Sequence, residues 1–84
     1  MIWKDTTSYS RNDKTRQPTT YAARAGDLHI TVTCGHIYYR GVWIMHCEPF
    51  YREHILGVDT LEQAQAKAIE LIRVKIDKVA RAME

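Results

Sequence analysis

No apolar run in these 84 residues approaches the roughly 18–20 that a membrane-spanning helix needs, so no membrane segment is expected. The first residues, Met-Ile-Trp-Lys-Asp-Thr-Thr, lack a basic stretch followed by an apolar one, and no signal peptide is read there. Cysteine is scarce. Cys34 and Cys47 are the only two, and they form no C-x-x-C pair, which removes the usual zinc-finger and redox motifs. Two reduced thiols in a cytoplasm are the expectation. Proline occurs twice and glycine four times, too few for a collagen-like or low-complexity chain. Charge of one sign is also lacking: the net charge of +2 names no polyanionic partner. No G-x-S-x-G, Walker-type loop or paired-carboxylate motif occurs, and the acids are scattered through turns. A nucleophile needs a base in reach, and no such pairing is offered, so no enzyme is expected.

What remains is an ordinary globular composition, 45% hydrophobic and 26% charged, in a chain short enough for one domain spanning 1–84. Residues 1–27 are polar and mixed. Trp3 and Tyr9 share a parity that suits a short strand, Ser10 to Thr19 reads as a mildly basic loop, and Tyr21 to Ala25 suits another strand before the Gly26-Asp27 turn. Leu28 to Cys34 alternates apolar and polar without error, the pattern of a half-buried strand. Val42 to Cys47 is a second strand stopped by Glu48-Pro49, and His54 to Val58 a weaker third. Residues 60–82 predict a helix: Thr60 and Gln63 fit a capping box, with Asp59 and Glu62 as the alternative frame. Leu61, Ala64, Ala68, Leu71, Ile72, Ile76, Val79 and Met83 then recur as one apolar stripe.

The stripe selects the pairing. Only one parity of register puts Leu28, Ile30, Val32 and Cys34 on the same sheet face as Trp43, Met45 and Cys47, and that face is the one able to cover the helix. The fold class is therefore α+β: an antiparallel sheet of three or four strands with one long C-terminal helix, about 60–82, packed on one face. The same register holds the two cysteines apart at opposite ends of their strands, beyond bridging distance.

The other sheet face receives His29, Thr31, Thr33, Ile44 and His46. His29 and His46 become diagonal neighbours, and a metal there would need His54 or Glu48 as a third ligand. No recognised ligand spacing supports it, so neither a metal nor a cofactor is expected. Val42 and Ile44 leave branched apolar surface on this face, suited to a partner or to a weak homodimer. Two aromatic-basic clusters, Tyr38-Tyr39-Arg40 and Phe50-Tyr51-Arg52, fall on neighbouring turns. Tyr and Arg anchor interfaces most often, so the expected partner-binding residues are Tyr38, Arg40, Tyr51 and Arg52, with Ile44 and His46. The alternative for either cluster is that its aromatics fold back to cap a small core.

Trp43-x-Met45-x-Cys47, a short third strand and Asp59-Thr60-Leu61-Glu62-Gln63-Ala64 resemble the layout of small accessory proteins of tailed phages and prophages, over residues 28–80. Such proteins commonly bind and block a host protein, anti-CRISPR inhibitors among them. The resemblance implies a non-enzymatic protein acting on a host protein in the bacterial cytoplasm. Tyr39-Arg40-Gly41-Val42 and Leu56-Gly57-Val58-Asp59-Thr60 also resemble the three-strand-plus-helix DNA-binding domains of phage integrase arms and plant GCC-box factors. That second resemblance implies a nucleic-acid-binding module reading DNA with the exposed sheet face. On strands 28–34 and 42–47 that face carries no arginine for a bidentate guanine contact.

Overall fold

A computed structural model describes residues 2–7, 19–36, 39 and 41–84. Five strands and one helix follow in order: β1 (Trp3–Asp5), β2 (Thr20–Ala25), β3 (Leu28–Thr33), β4 (Ile44–Cys47), β5 (Tyr51–Ile55) and α1 (Leu61–Ala82). The sheet is a meander in which each strand pairs antiparallel with the next. The expected class stands, but among the described residues the sheet has five strands rather than three or four. The additional pairing comes from the N-terminal part of the chain. There β2 runs along the whole of β3, from Thr20 opposite Thr33 to Ala25 opposite Leu28, and β1 adds Trp3 opposite Ala23. The β2–β3 hairpin closes over Gly26-Asp27. Gly26 has φ +61°, a conformation that costs a residue without Cβ nothing.

The register of β3 on β4 is the one the helix stripe selects. Val32 lies opposite Met45, and Thr31 opposite His46. Ile30, Val32, Trp43, Met45 and Cys47 therefore share the face that α1 covers with Ala64, Ala68 and Ile72, and Leu56 closes the end of this core. The alanines are fully buried, and their small side chains let the helix axis come close to the sheet. α1 starts where the first capping frame places it. Thr60 accepts from the Gln63 N–H at 3.2 Å, and the Gln63 side chain accepts from the Asp59 N–H at 3.1 Å.

Three placements differ from the sequence reading. The strand after Pro49 is Tyr51–Ile55, not His54 to Val58. The Phe50 N–H donates to the Cys47 carbonyl at 2.9 Å, which turns the chain straight back into the sheet. Tyr51 and Arg52 thus belong to a strand and not to a turn. Second, β4 begins at Ile44, although the Trp43 carbonyl still accepts from Leu56 N–H at 3.0 Å. Third, the helix stripe is buried only as far as Ile72. Ile76 and Val79 are each 44% exposed and Met83 is 77% exposed. A 22-residue helix is about 33 Å long, whereas strands of four to six residues span about 13–20 Å, so the last turns of α1 extend past the sheet. No described helix is long and apolar enough to cross a membrane. The expected loop of residues 10–19 lies outside the described residues up to position 18, as does Tyr9.

Both cysteines are free, Cys47 buried in the core and Cys34 half-buried at the end of β3. Burial pushes both thiols up from their ordinary pKa, against a smaller opposing effect of a backbone hydrogen bond at Cys34. Alkylation of the native chain without reductant is expected to be slow at both, with Cys34 labelled first and both labelled on unfolding. Cys47→Ser is expected to cost about 1–3 kcal/mol in a urea melt, since it buries a hydroxyl with no partner prepared for it. Cys34→Ser should cost less. Equal melts for the two variants would remove Cys47 from the core.

Candidate functional site: the open face of the sheet

Pairing register fixes which side chains line the face turned away from α1. One row across the sheet is Lys4, Ala22, Thr31 and His46, and the next is Thr20, Thr33, Ile44 and Ile55. Arg24 stands opposite His29. Thr20 and Thr33 join their hydroxyls at 2.8 Å, which ties β2 to β3 on this side.

At the β1–β3 end the face is concave. A trough of about 680 Å³ is lined by Ile2, Lys4, Thr6, Ala22, Arg24 and His29. Ala22 makes its floor low, because the neighbouring side chains on the same face are larger. Among the described residues no carboxylate pairs with Lys4 or Arg24. The trough therefore joins an apolar floor to a cationic rim. The sequence alone does not mark Lys4 or Arg24, because β1 and β2 are its least distinct strands. The signal that finds Arg24 is the two-residue turn: it sets Ala25 opposite Leu28, hence Arg24 opposite His29.

At the β4–β5 end the polar groups are paired. Glu48 Oε1 accepts from Arg52 at 2.7 Å and lies 3.5 Å from His46 Nε2. Arg52 holds the exposed Glu48 carboxyl below the usual carboxylate range, with a further contribution from His46. A bulge lies here: Met45 faces His54 and Cys47 faces Tyr51, so Arg52 and Glu53 together oppose His46. Glu53 adopts φ +50°, unusual for a residue with a Cβ, and its carboxylate lies 3.3 Å from His36 Nε2. His36, three residues past the end of β3, thus meets β5, with β4 between them in the sheet.

A correction falls at Ile44. It sits on the open face as its parity demands, but it is only 2% exposed, so it is not the free apolar surface expected there. Val42 is 39% exposed, outside the strand. The Phe50-Tyr51-Arg52 cluster also divides. Phe50 packs against the core, and Tyr51 lies on the helix side, 4.8 Å from the His54 ring and 5.7 Å from Lys75 Nζ. For those two aromatics the core-capping alternative is the one realised, and only Arg52 faces outward with His46. His54 lies opposite Met45, on the other side of the sheet from His29 and His46, and so is not placed to join them around a metal. Among the described residues no three His, Cys, Asp or Glu side chains converge as metal ligands. Tyr38 and Arg40 lie outside the described residues; Tyr39 is half-buried with its ring 5.3 Å from His36.

No protein-family model, curated protein or solved structure matches the chain.

Proposed function

We propose that this chain is a non-enzymatic binding protein of phage or prophage type that acts by protein–protein contact with a host factor in the bacterial cytoplasm, for example by blocking a defence complex. We place the contact on the open face of the sheet. The observation that carries this reading is the trough at its β1–β3 end, where Lys4 and Arg24 stand without acidic partners among the described residues around Ile2 and Ala22. Protein interfaces combine an apolar centre with directed donors in this way, and arginine is enriched in them. Arg52 and His46, already oriented by Glu48, extend the same face.

The test is a comparison of wild type with Lys4→Glu/Arg24→Glu, both immobilised and exposed to host lysate. A host protein retained by wild type should be lost by the variant, with binding weakened by about 2–4 kcal/mol and the melting temperature nearly unchanged. Retention of the same host protein by both would move the contact off this face.

A nucleic-acid-binding module is the second reading, and one observation favours it. The arginine lacking from β3 and β4 is supplied by Arg24 of β2, beside Lys4 of β1, on the same face. That reading expects wild type to bind duplex DNA with an affinity that falls steeply with salt, and the double variant to lose both the affinity and the slope.

A further inference from the structure

The overhanging end of α1 carries a second surface, independent of what the open sheet face binds. Four of the exposed large apolar residues fall within it: Val74, Ile76, Val79 and Met83. Three of these, with Ile72, continue the core-facing line of the helix. At about 100° per residue, Ile72, Ile76, Val79 and Met83 fall within an arc of about 60°. Their spacing is four, three and four residues, which reads the same in both directions.

A symmetric spacing is what a helix needs to pair with an antiparallel copy of itself. With a two-fold axis between Asp77 and Lys78, Ile76 meets Val79 of the second copy and Val79 meets Ile76. Met83 meets the turn of Ile72, at the rim of the other copy's core. We propose that this chain forms an isologous dimer through the C-terminal half of α1, packed antiparallel on that axis.

The charges of one flank agree with this register. In an antiparallel two-fold pair each flank of the apolar line faces the same flank of the other copy. One flank carries Ala80 and Arg73, and Glu84, just past the C-cap Met83, follows it with its N–H still on the Arg81 carbonyl at 3.3 Å. The axis brings Arg73 of one copy within two positions of the level of Glu84 in the other, twice by symmetry. Among the described residues neither Arg73 nor Glu84 has an ion pair within its own chain, whereas Asp77 pairs with Arg81 at 3.2 Å and is thereby occupied. The opposite flank carries Lys75, Ala82 and Lys78, and the axis sets Lys78 within one position of Lys78 of the other copy, a like-charge contact that opposes the dimer and is relieved by salt. Lys75 is drawn back over the Tyr51 ring, 5.7 Å away, and the alanine gives the two helices room to approach.

Pairing over about three turns of helix buries less than the roughly 800 Å² per partner of a standard interface, so the dimer is weak, with a dissociation constant of order 10–500 μM. Sedimentation equilibrium of the full chain under reductant, from about 5 μM to about 1 mM, should show reversible monomer–dimer behaviour. Arg73→Glu and Glu84→Arg, each alone, should weaken the dimer about five- to tenfold, and Arg73→Glu/Glu84→Arg together should restore it. Val79→Asp, at a position already 44% exposed, should abolish association while circular dichroism and melting temperature stay near wild type. A strict monomer at the highest concentration overturns the proposal. So does association that survives Val79→Asp, or a charge-swapped variant no better than its single parents, since either leaves α1 out of the interface or in another register.

Discussion

Trp43→Ala is expected to lower the stability of this chain by about 3–5 kcal/mol. Trp43 is 8% exposed and belongs to the core formed by β3, β4 and α1. The effect is large because the layer is thin: among the described residues the core between sheet and helix has nine buried members, few to take up the vacated volume. At roughly 0.05–0.15 kcal/mol per residue, a chain of this size is held by about 4–13 kcal/mol. A loss of the expected size thus removes from about a quarter of its stability to all of it. In a domain this small each kcal/mol lowers the melting temperature by about 4–8 °C, so the variant should melt at least about 12 °C below wild type or be unfolded at room temperature. Trp3→Ala supplies the comparison. Trp3 is only half-buried, on a three-residue edge strand, and its removal should cost less. A Trp43→Ala melt within a few degrees of wild type would take Trp43 out of the core and overturn the face assignment of β4.

The face assignment was legible because two independent patterns had to agree. Leu28 to Thr33 alternates strictly, and the α1 stripe requires one wide apolar face, so only one parity for β4 satisfies both. The helix start was legible for a similar reason, since Thr60 and Gln63 sit at the separation a cap needs. β2 was less distinct. Ala22, Ala23 and Ala25 carry little strand preference, and the strand owes its place to pairing with β3 and to the two-residue turn. β5 differs from its expected position because Arg52, Glu53 and His54 give it no apolar face, a composition suited to an edge strand, and because its bulge breaks alternation. The apolar Ile55, Leu56 and Val58 drew the expected strand three residues too far along. Leu56 is buried, but in the segment that leads from the sheet into the helix.

Two features of the candidate surfaces depend on distances along the chain that periodicity does not report. Parity puts Ile44 on the open face, yet it is only 2% exposed, and alternation along a strand does not report what else packs over that face. In the same way, the apolar stripe of α1 reports an amphipathic helix and says nothing of where the sheet beneath it ends. The exposed Ile76, Val79 and Met83 follow from helix length against strand length. The trough is a third case: Lys4 and Arg24 come together only once β1 pairs with β2. The two surfaces lie on separate layers, so a dimer through α1 would leave both open sheet faces available to a partner.

Ala68→Glu is expected to cost about 3–5 kcal/mol at neutral pH, through a buried carboxylate with no cation prepared for it. Ala68 is fully buried among Ile30, Val32 and Met45 of the sheet and Ala64 and Ile72 of its own helix, none of which can pair with a charge. Ala66, two residues earlier on the same helix, is exposed, and Ala66→Glu should stay within about 0.5 kcal/mol of wild type. Helix propensity is the same in both, and the like charges of Glu62 and Glu70 four residues from position 66 cost only a few tenths of a kcal/mol each, so the larger difference reports burial. The pH dependence separates charge from size. Burial raises the carboxyl pKa of the folded variant above its unfolded value, so the electrostatic cost is full above the folded pKa and shrinks as pH falls through it. Below the unfolded pKa, near 4, only the overpacking of about 1–3 kcal/mol remains. Ala68→Gln, of the same shape and without charge, should carry a cost that does not follow this course with pH, measured against wild type at each pH. Urea melts of the four proteins across pH 4 to 8 decide the matter. If Ala68→Glu and Ala66→Glu melt together at neutral pH, α1 is not seated on the Val32–Met45 face, and the layer that positions both candidate surfaces is wrong.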